Sequence, residues 1–229
     1  MINFDHIKGV IWDLDDTLYS VTPDLHKSMR ESAARAVVKM GYPVTYEEAL
    51  IMAERSQAEY RLTVKMLCDE FKIDKRDLHL PFHAEMDHTV TKACEDLPAA
   101  FAAKPHLQHI LMTHASRDWA LRMLDHLRIA EFFLPDAVLG LEDVDFNHKH
   151  ESEYVAKCCM DILGTKPHET AFVEDREYNL TIPKKLGMTT VLIAHPSQSP
   201  KLPEHVDVKF TRAADFLENV GVMPSSAIA

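Results

Sequence analysis

The feature that most constrains this chain is a recurring short apolar run, rich in β-branched and aromatic residues, followed each time by a segment with helical spacing. Gly9 to Leu14 (GVIWDL) comes first, and His109 to Thr113 (HILMT), Ala137 to Leu141 (AVLGL), Thr170 to Val173 (TAFV) and Thr189 to Ala194 (TTVLIA) follow. Runs this short, without polar alternation, fit strands buried on both faces. Ser116 to Leu127, Ser152 to Leu163 and Leu180 to Leu186 lie between them, and Val208 to Phe210 and Ala213 to Val220 add a last short strand and helix. Strands alternating with helices build βαβ units. The expected fold class is therefore α/β, a parallel sheet with helices on both faces and sites at the carboxyl ends of the strands.

The stretch from about Thr22 to Asp96 breaks this rhythm, with no convincing strand and apolar residues at helical intervals. Leu25, Met29, Ala33, Val37 and Met40 form one stripe, and Tyr60, Val64, Leu67 and Phe71 another. Both are expected to pack the interior of an all-helical insert. Pro43 and Pro81 are expected to punctuate its helices. The resulting division is a core of residues 1–21 and 97–229, with an insert of residues 22–96 that leaves just after the first strand and can cover the crevice as a cap. The last residues, MPSSAIA, read as a loose tail.

Composition excludes several function classes. Lys plus Arg number 25 against 36 Asp plus Glu, and a net charge of −11 repels a phosphate backbone, so a nucleic acid polymer is not the expected partner. No basic leader opens the chain and no apolar stretch reaches the length of a membrane span, which predicts a cytoplasmic protein without a membrane partner, a monomer or a weak homodimer. The four cysteines form no CxxC pair and read as reduced structural thiols. His148 and His150 flank Lys149 but lack the distributed ligands of a tetrahedral metal site.

The chemistry starts at Asp13-Leu14-Asp15-Asp16-Thr17, directly after the first strand. Carboxylates two apart on an extended chain face the same side, so both can reach one reacting group, one as nucleophile and the other as proton donor and acceptor. An acidic turn after a strand is the other reading of these five residues. Context favours chemistry. Thr113 and His114 follow the second core strand, Lys149 precedes a helix, and Glu174 with Asp175 end a later strand, so a parallel sheet can bring all of them to one rim. There Thr113 can donate to a phosphoryl oxygen and Lys149 can offset the charge of a transition state, with a helix start near Glu151 adding to the anion site. Glu174, Asp175 and Asp13 make an oxygen-only cluster whose like charges call for a hard cation, which favours Mg²⁺.

The segments WDLDDTLY, LMTHAS, NHKHESEY and AFVEDREYNLTIPKKLGMTTV resemble the four ordered motifs of the haloacid dehalogenase (HAD) superfamily, over Gly9 to Ala194. The resemblance implies a Rossmannoid parallel sheet and an aspartyl-phosphate mechanism. In it Asp13 is nucleophile, Asp15 acid and base, Thr113 and Lys149 the phosphate binders, and Glu174 and Asp175 the metal ligands with Asp13 and the Asp15 main-chain carbonyl. The helical insert resembles the cap that members carry between motifs one and two. DLDDTLY and EDREYNLTIPKKLGMTTVL are further similar to the pyrimidine 5′-nucleotidase branch, which implies a small phosphomonoester substrate, a nucleoside 5′-monophosphate. His114 and Ala115 stand where that branch commonly has Asn and Gly, and His150 where Pro is frequent. His114 is a candidate contact to the substrate phosphate or the nucleophile, and Asn179 is expected to cap a helix.

A dehalogenase would need no proton donor, and Asp15 speaks against it. A phosphonatase would need a desolvated lysine from the insert, a role for which Lys65 is available but unmarked. A sugar-phosphate phosphatase, a phosphomutase and a non-catalytic phosphate-binding regulator share the core motifs. Specificity is expected from the insert and from the loop at Tyr19 and Ser20; Arg55, Arg61 and Lys65 can reach over the cleft, and solvated helix faces account for them equally well.

Overall fold

The structure, a computed structural model, describes residues 4–194 and 202–220, so the tail from Met223 lies outside the described residues. In chain order it forms β1 (Gly9–Trp12), α1 (Pro23–Lys39), α2 (Tyr46–Tyr60), α3 (Lys65–Phe71), α4 (Lys75–Ala84), α5 (Leu97–Ala102), β2 (Gln108–Met112) and α6 (Arg117–His126). There follow β3 (Phe133–Leu139), α7 (Glu153–Leu163), β4 (Thr170–Glu174), α8 (Thr181–Leu186), β5 (Thr189–Ile193), β6 (Val208–Phe210) and α9 (Ala213–Asn219). The described strands make one parallel sheet in the order β3-β2-β1-β4-β5-β6.

The period of two decides which side chain goes where. Val10, Trp12, Leu111, Ala171, Val173, Val191 and Ile193 pack on one face with α5, α6 and α9. Ile11, Ile110, Met112, Phe172 and Leu192 pack on the other with α7. A strand that buries both faces needs apolar residues at every position, which is why β1 reads GVIW without alternation. β1 sits at the centre, with Gly9 opposite Gln108 on one side and Thr170 on the other, and Trp12 opposite Leu111 and Val173. The chain therefore leaves β1 at Asp13 in the middle of the sheet's carboxyl edge.

β3 begins at Phe133, four residues before the apolar run AVLGL, because its early part is a sheet edge that tolerates exposed residues such as Leu134. It ends at Leu139, and at the next residue, Gly140, a Cβ would come within 2.3 Å of the Arg117 nitrogen, so only glycine permits this close approach.

The four helices α1 to α4 lie between β1 and β2. Thr22 caps α1 by accepting the Leu25 N–H (3.2 Å), and Thr45 and Glu48 form a reciprocal capping box on α2. Two expectations fail here. The stripe Tyr60, Val64, Leu67, Phe71 does not share one helix, because Arg61 turns left-handed (φ 56°) and ends α2. The buried Ser56 hydroxyl makes that break, donating to the Leu62 carbonyl and accepting the Met66 N–H (3.1 Å). Pro81 does not end a helix but lies inside α4. The carbonyl that loses its donor there belongs to the exposed Asp77, where water can replace the missing bond.

Among the described residues no helix is long and apolar enough to cross a membrane. Cys68, Cys94, Cys158 and Cys159 are all free thiols.

Candidate active site

Asp13 continues the strand ladder by one bond, its N–H donating to the Val173 carbonyl (2.9 Å), and this fixes its carboxylate at the sheet edge. One carboxylate oxygen accepts the Thr17 hydroxyl (3.0 Å), and the other is bound by the ammonium of Lys149. Lys149 is 2% exposed and also bonds Glu174 Oε1 (3.0 Å), so a buried cation is held between two carboxylates. Such an ion costs several kcal/mol to desolvate unless its partners surround it, as they do here.

Glu174 has no idle oxygen. Its Oε1 also accepts from Asn179 Nδ2 (2.6 Å), and its Oε2 accepts the Arg176 N–H (2.6 Å). Asn179 therefore does not cap α8, as the sequence suggested; it lies in a short 3-10 turn and braces Glu174. The signal that could have found it is its spacing, five residues after the strand-end carboxylate. Asp175 pairs with Arg176 Nε (3.0 Å), and ligand oxygens of Asp13, Glu174 and Asp175 all lie within 4.8 Å of one another.

The electrostatics of this cluster follow from burial and like charge. Burial pushes the Asp13 carboxyl up to about 7, with Lys149 pulling it down and Glu174 raising it further. Asp175 goes up to about 9, again through burial first and then through Asp13 and Glu174. Burial works against the Lys149 charge, but Asp13 and Glu174 outweigh it and hold the ammonium protonated. Two carboxyls that cling to protons beside a third carboxylate form a donor set of oxygens alone, which suits a hard divalent cation.

Asp15 faces the same cleft from the turn after Asp13. Tyr19, 3% exposed, donates its hydroxyl to Asp15 Oδ1, so this tyrosine braces a carboxylate and does not line the cleft as a specificity residue. Burial raises the Asp15 carboxyl, and the Tyr19 bond opposes that rise. Asp16 takes the left-handed conformation (φ 57°) and closes the turn by accepting the Val21 N–H (2.7 Å). Close by, the buried indole N–H of Trp119 is directed toward Asp15 and Tyr19 and, like the Tyr19 bond, opposes the rise of the Asp15 carboxyl.

Thr113 is 1% exposed and its oxygen accepts the Ala115 N–H (3.0 Å), which leaves its own proton to donate. His114 Nε2 accepts the Lys149 main-chain N–H (3.2 Å), so that nitrogen carries no proton. Burial, reinforced by Lys149, pushes His114 down to about 2, and its ring stands edge-on to His148 at 4.8 Å. His114 thus lines the cleft as a neutral ring that also steadies the Lys149 loop. The helix after that loop, α7, starts at Glu153 with Ser152 as its cap.

Asp13, Asp15, Thr113, His114, Glu174 and Asp175 form the floor of a cleft of about 840 Å³, with Lys149 buried beneath it, and the opposite wall comes from α1 to α4. Arg61 and Lys65 line that wall, with Lys65 bonded to Asp69 (2.7 Å), whereas Arg55 pairs with Glu59 (3.5 Å) away from it. Lys75, Arg76, His79 and His83 line it too and had no local signal in the sequence. His79 Nε2 bonds Glu142 (2.9 Å) and the Arg76 guanidinium lies over the Phe146 ring (5.4 Å), so α4 is tied to the loop after β3.

The arrangement can attack, protonate and neutralise charge at one point: a carboxylate beside a fixed ammonium, a second carboxyl one turn away, and a hydroxyl donor. Among solved structures, the chain is similar to the L-2-haloacid dehalogenase of Xanthobacter autotrophicus, at 17% identity and a TM-score of 0.61 over 95% of this chain and 100% of that one. It is similar to a HAD phosphatase from Thermococcus onnurineus (16% identity, TM-score 0.60, 93% of this chain and 97% of that one). A HAD family hydrolase from Deinococcus radiodurans, solved with bound phosphate and sodium, is likewise similar (15%, TM-score 0.56, 93% and 94%). At such identities these likenesses speak for the fold. No curated protein matches the sequence. The family profile of haloacid dehalogenase-like hydrolases matches residues 10–193, from the first strand to the fifth, and with the fold around Asp13 this places the chain in that family.

Proposed function

We propose that the protein is a Mg²⁺-dependent phosphatase that hydrolyses a small phosphomonoester, a pyrimidine nucleoside 5′-monophosphate, through an aspartyl phosphate on Asp13. The observation that carries this reading is the buried Lys149 ammonium bound to Asp13 and Glu174, with a second carboxyl, Asp15, facing the same cleft. A halide leaving group needs no proton, whereas an alkoxide does, and burial keeps Asp15 ready to supply one.

Asp13 attacks phosphorus and Asp15 gives its proton to the leaving alcohol oxygen. Asp15 then takes a proton from water as that water attacks the aspartyl phosphate, which frees phosphate and restores Asp13. Lys149 offsets the negative charge at the attacking carboxylate throughout, and Thr113 donates to a phosphoryl oxygen. Asp13, Asp175 and the Asp15 main-chain carbonyl would hold the Mg²⁺, with Glu174 beside them. When bound, the ion supplies positive charge to the phosphoryl oxygens. Glu174 also orients Lys149 through its Oε1, while its Oε2, which accepts one N–H, keeps a lone pair that could serve the ion. The helical insert acts as the cap that keeps bulk water from the reacting groups.

The test is phosphate release from UMP, CMP, sugar phosphates and phosphoglycolate with Mg²⁺ or with EDTA. Release that needs Mg²⁺ and is fastest with UMP or CMP is the expected result. Preference for a sugar phosphate would keep the mechanism and discard the nucleotide. No release from any of them, together with isomerisation of a sugar phosphate, would make the chain a mutase; neither activity would leave a phosphate-binding regulator.

A further inference from the structure

Two histidines one turn apart on α4, His79 and His83, are each 8% exposed and line the cleft opposite Asp13. His83 Nδ1 lies 2.8 Å from the His79 carbonyl. A carbonyl oxygen can only accept, so the ring proton sits on Nδ1. With the ring neutral, Nε2 is then a bare acceptor. Burial, with His79 and Arg122 nearby, keeps it neutral by pushing His83 down to about 3.

That Nε2 has no partner among the described residues, yet it is not sealed inside the protein like the orphaned Oδ1 of Asn179. Its remaining open surface belongs to a residue of the cleft wall, in a stretch of α4 where the apolar Leu78 and Phe82 alternate with Lys75, Arg76 and His79. The ring is also held firmly. Arg122 on α6 donates to the main-chain carbonyls of His83 (2.7 Å) and Met86 (2.9 Å) and pins the end of α4 to the core. An acceptor fixed in both tautomer and position, and left without a protein donor, selects for a donor on the ligand.

We propose that His83 is a specificity residue of this site: its Nε2 accepts a hydrogen bond from an N–H or O–H on the leaving group. The substrate class is phosphomonoesters whose alcohol part carries such a donor, a description that a uracil base meets. This rests on the phosphatase reading of the floor, and it assigns selection to one atom of the wall.

Two measurements test it. The first compares wild type and His83→Phe on UMP and on p-nitrophenyl phosphate, which lacks a donor. The variant should lose about tenfold in kcat/KM for UMP and less than about twofold for p-nitrophenyl phosphate, with His83→Gln recovering part of the UMP loss. An equal loss on both substrates, or no loss on either, would overturn the proposal. The second needs no change at His83: the ¹⁵N-histidine spectrum of Asp13→Asn protein, with UMP added to saturation or inorganic phosphate as control. The His83 Nε2 signal should be that of an unprotonated nitrogen and should move with UMP alone. A protonated Nε2, or one that saturating UMP leaves in place, would overturn the proposal. Failure of the phosphatase reading looks different, since wild type would then release phosphate from neither substrate.

Discussion

On the floor of the cleft Asp13, Lys149 and Glu174 are buried ions that satisfy one another, whereas on the opposite wall His83 is buried to a similar degree as a neutral ring with a vacant acceptor. The floor is anchored by main-chain ladder bonds at the ends of β1 and β4, so its geometry is inherited from the sheet. The wall is anchored by side chains reaching across elements, as Arg122 and His79 do. The difference teaches a division of labour: changes in the floor should alter reactivity and stability together, and changes in the wall should alter selection first.

The largest effect expected from breaking that division is Lys149→Met. It strips Asp13 and Glu174 of their shared cation, and should cut phosphate release by about a thousandfold and stability by about 3 kcal/mol, read from urea unfolding. Loss of activity with unchanged stability would mean that the floor is not held together by its charges.

Acid should expose the buried neutral rings. In the unfolded chain His109 and His83 take up protons at the ordinary 6.5, but burial pushes them down to about 4 and about 3 in the fold. The contribution of these rings to stability is thus fully present above pH 6.5 and falls as pH drops below it, by on the order of 3 kcal/mol for His109 alone by pH 4. Urea unfolding of wild type and of His109→Phe at stepped pH separates this slope from the opposite one of the raised Asp13 and Asp175 carboxyls, and a difference between the two proteins that does not change with pH would show that the His109 ring is not buried neutral.

Tyr19→Phe sharpens the contrast from the floor side. Removing the donor to Asp15 should lower kcat by about tenfold while KM stays within about twofold, because the acid is misplaced but the binding wall is intact. A raised KM with unchanged kcat would return Tyr19 to the specificity role the sequence suggested. The smallest effect belongs to Arg61 on the wall. Its left-handed backbone favours glycine, so Arg61→Gly should raise stability by up to about 1 kcal/mol in thermal unfolding, and a loss would show that its side chain supports the fold.

The same contrast explains what could be read from the sequence. Strand ends were legible because a run buried on both faces has a composition of its own, and the residues after it go where the ladder sends them; hence Asp13, Thr113 and Glu174 come together at one edge. Functions that depend on what a side chain meets across space were not. Asn179 resembled a helix cap and instead braces Glu174, and Tyr19 looked like part of a specificity loop and is buried against Asp15. The stripe from Tyr60 to Phe71 kept its period through a break that the Ser56 hydroxyl makes from outside the stripe. The acceptor of His83 depends on one carbonyl and on Arg122, neither of which a pattern of residue types reveals.

The most direct test of the central claim is phosphate release with Mg²⁺ by wild type and by Asp13→Asn, each checked for a folded state by its unfolding curve. The account predicts a loss of about three orders of magnitude or more in the variant, which still folds but with altered stability, because Lys149 loses one partner while the crowding of three carboxylates is relieved. Turnover by Asp13→Asn at the wild-type rate would contradict it.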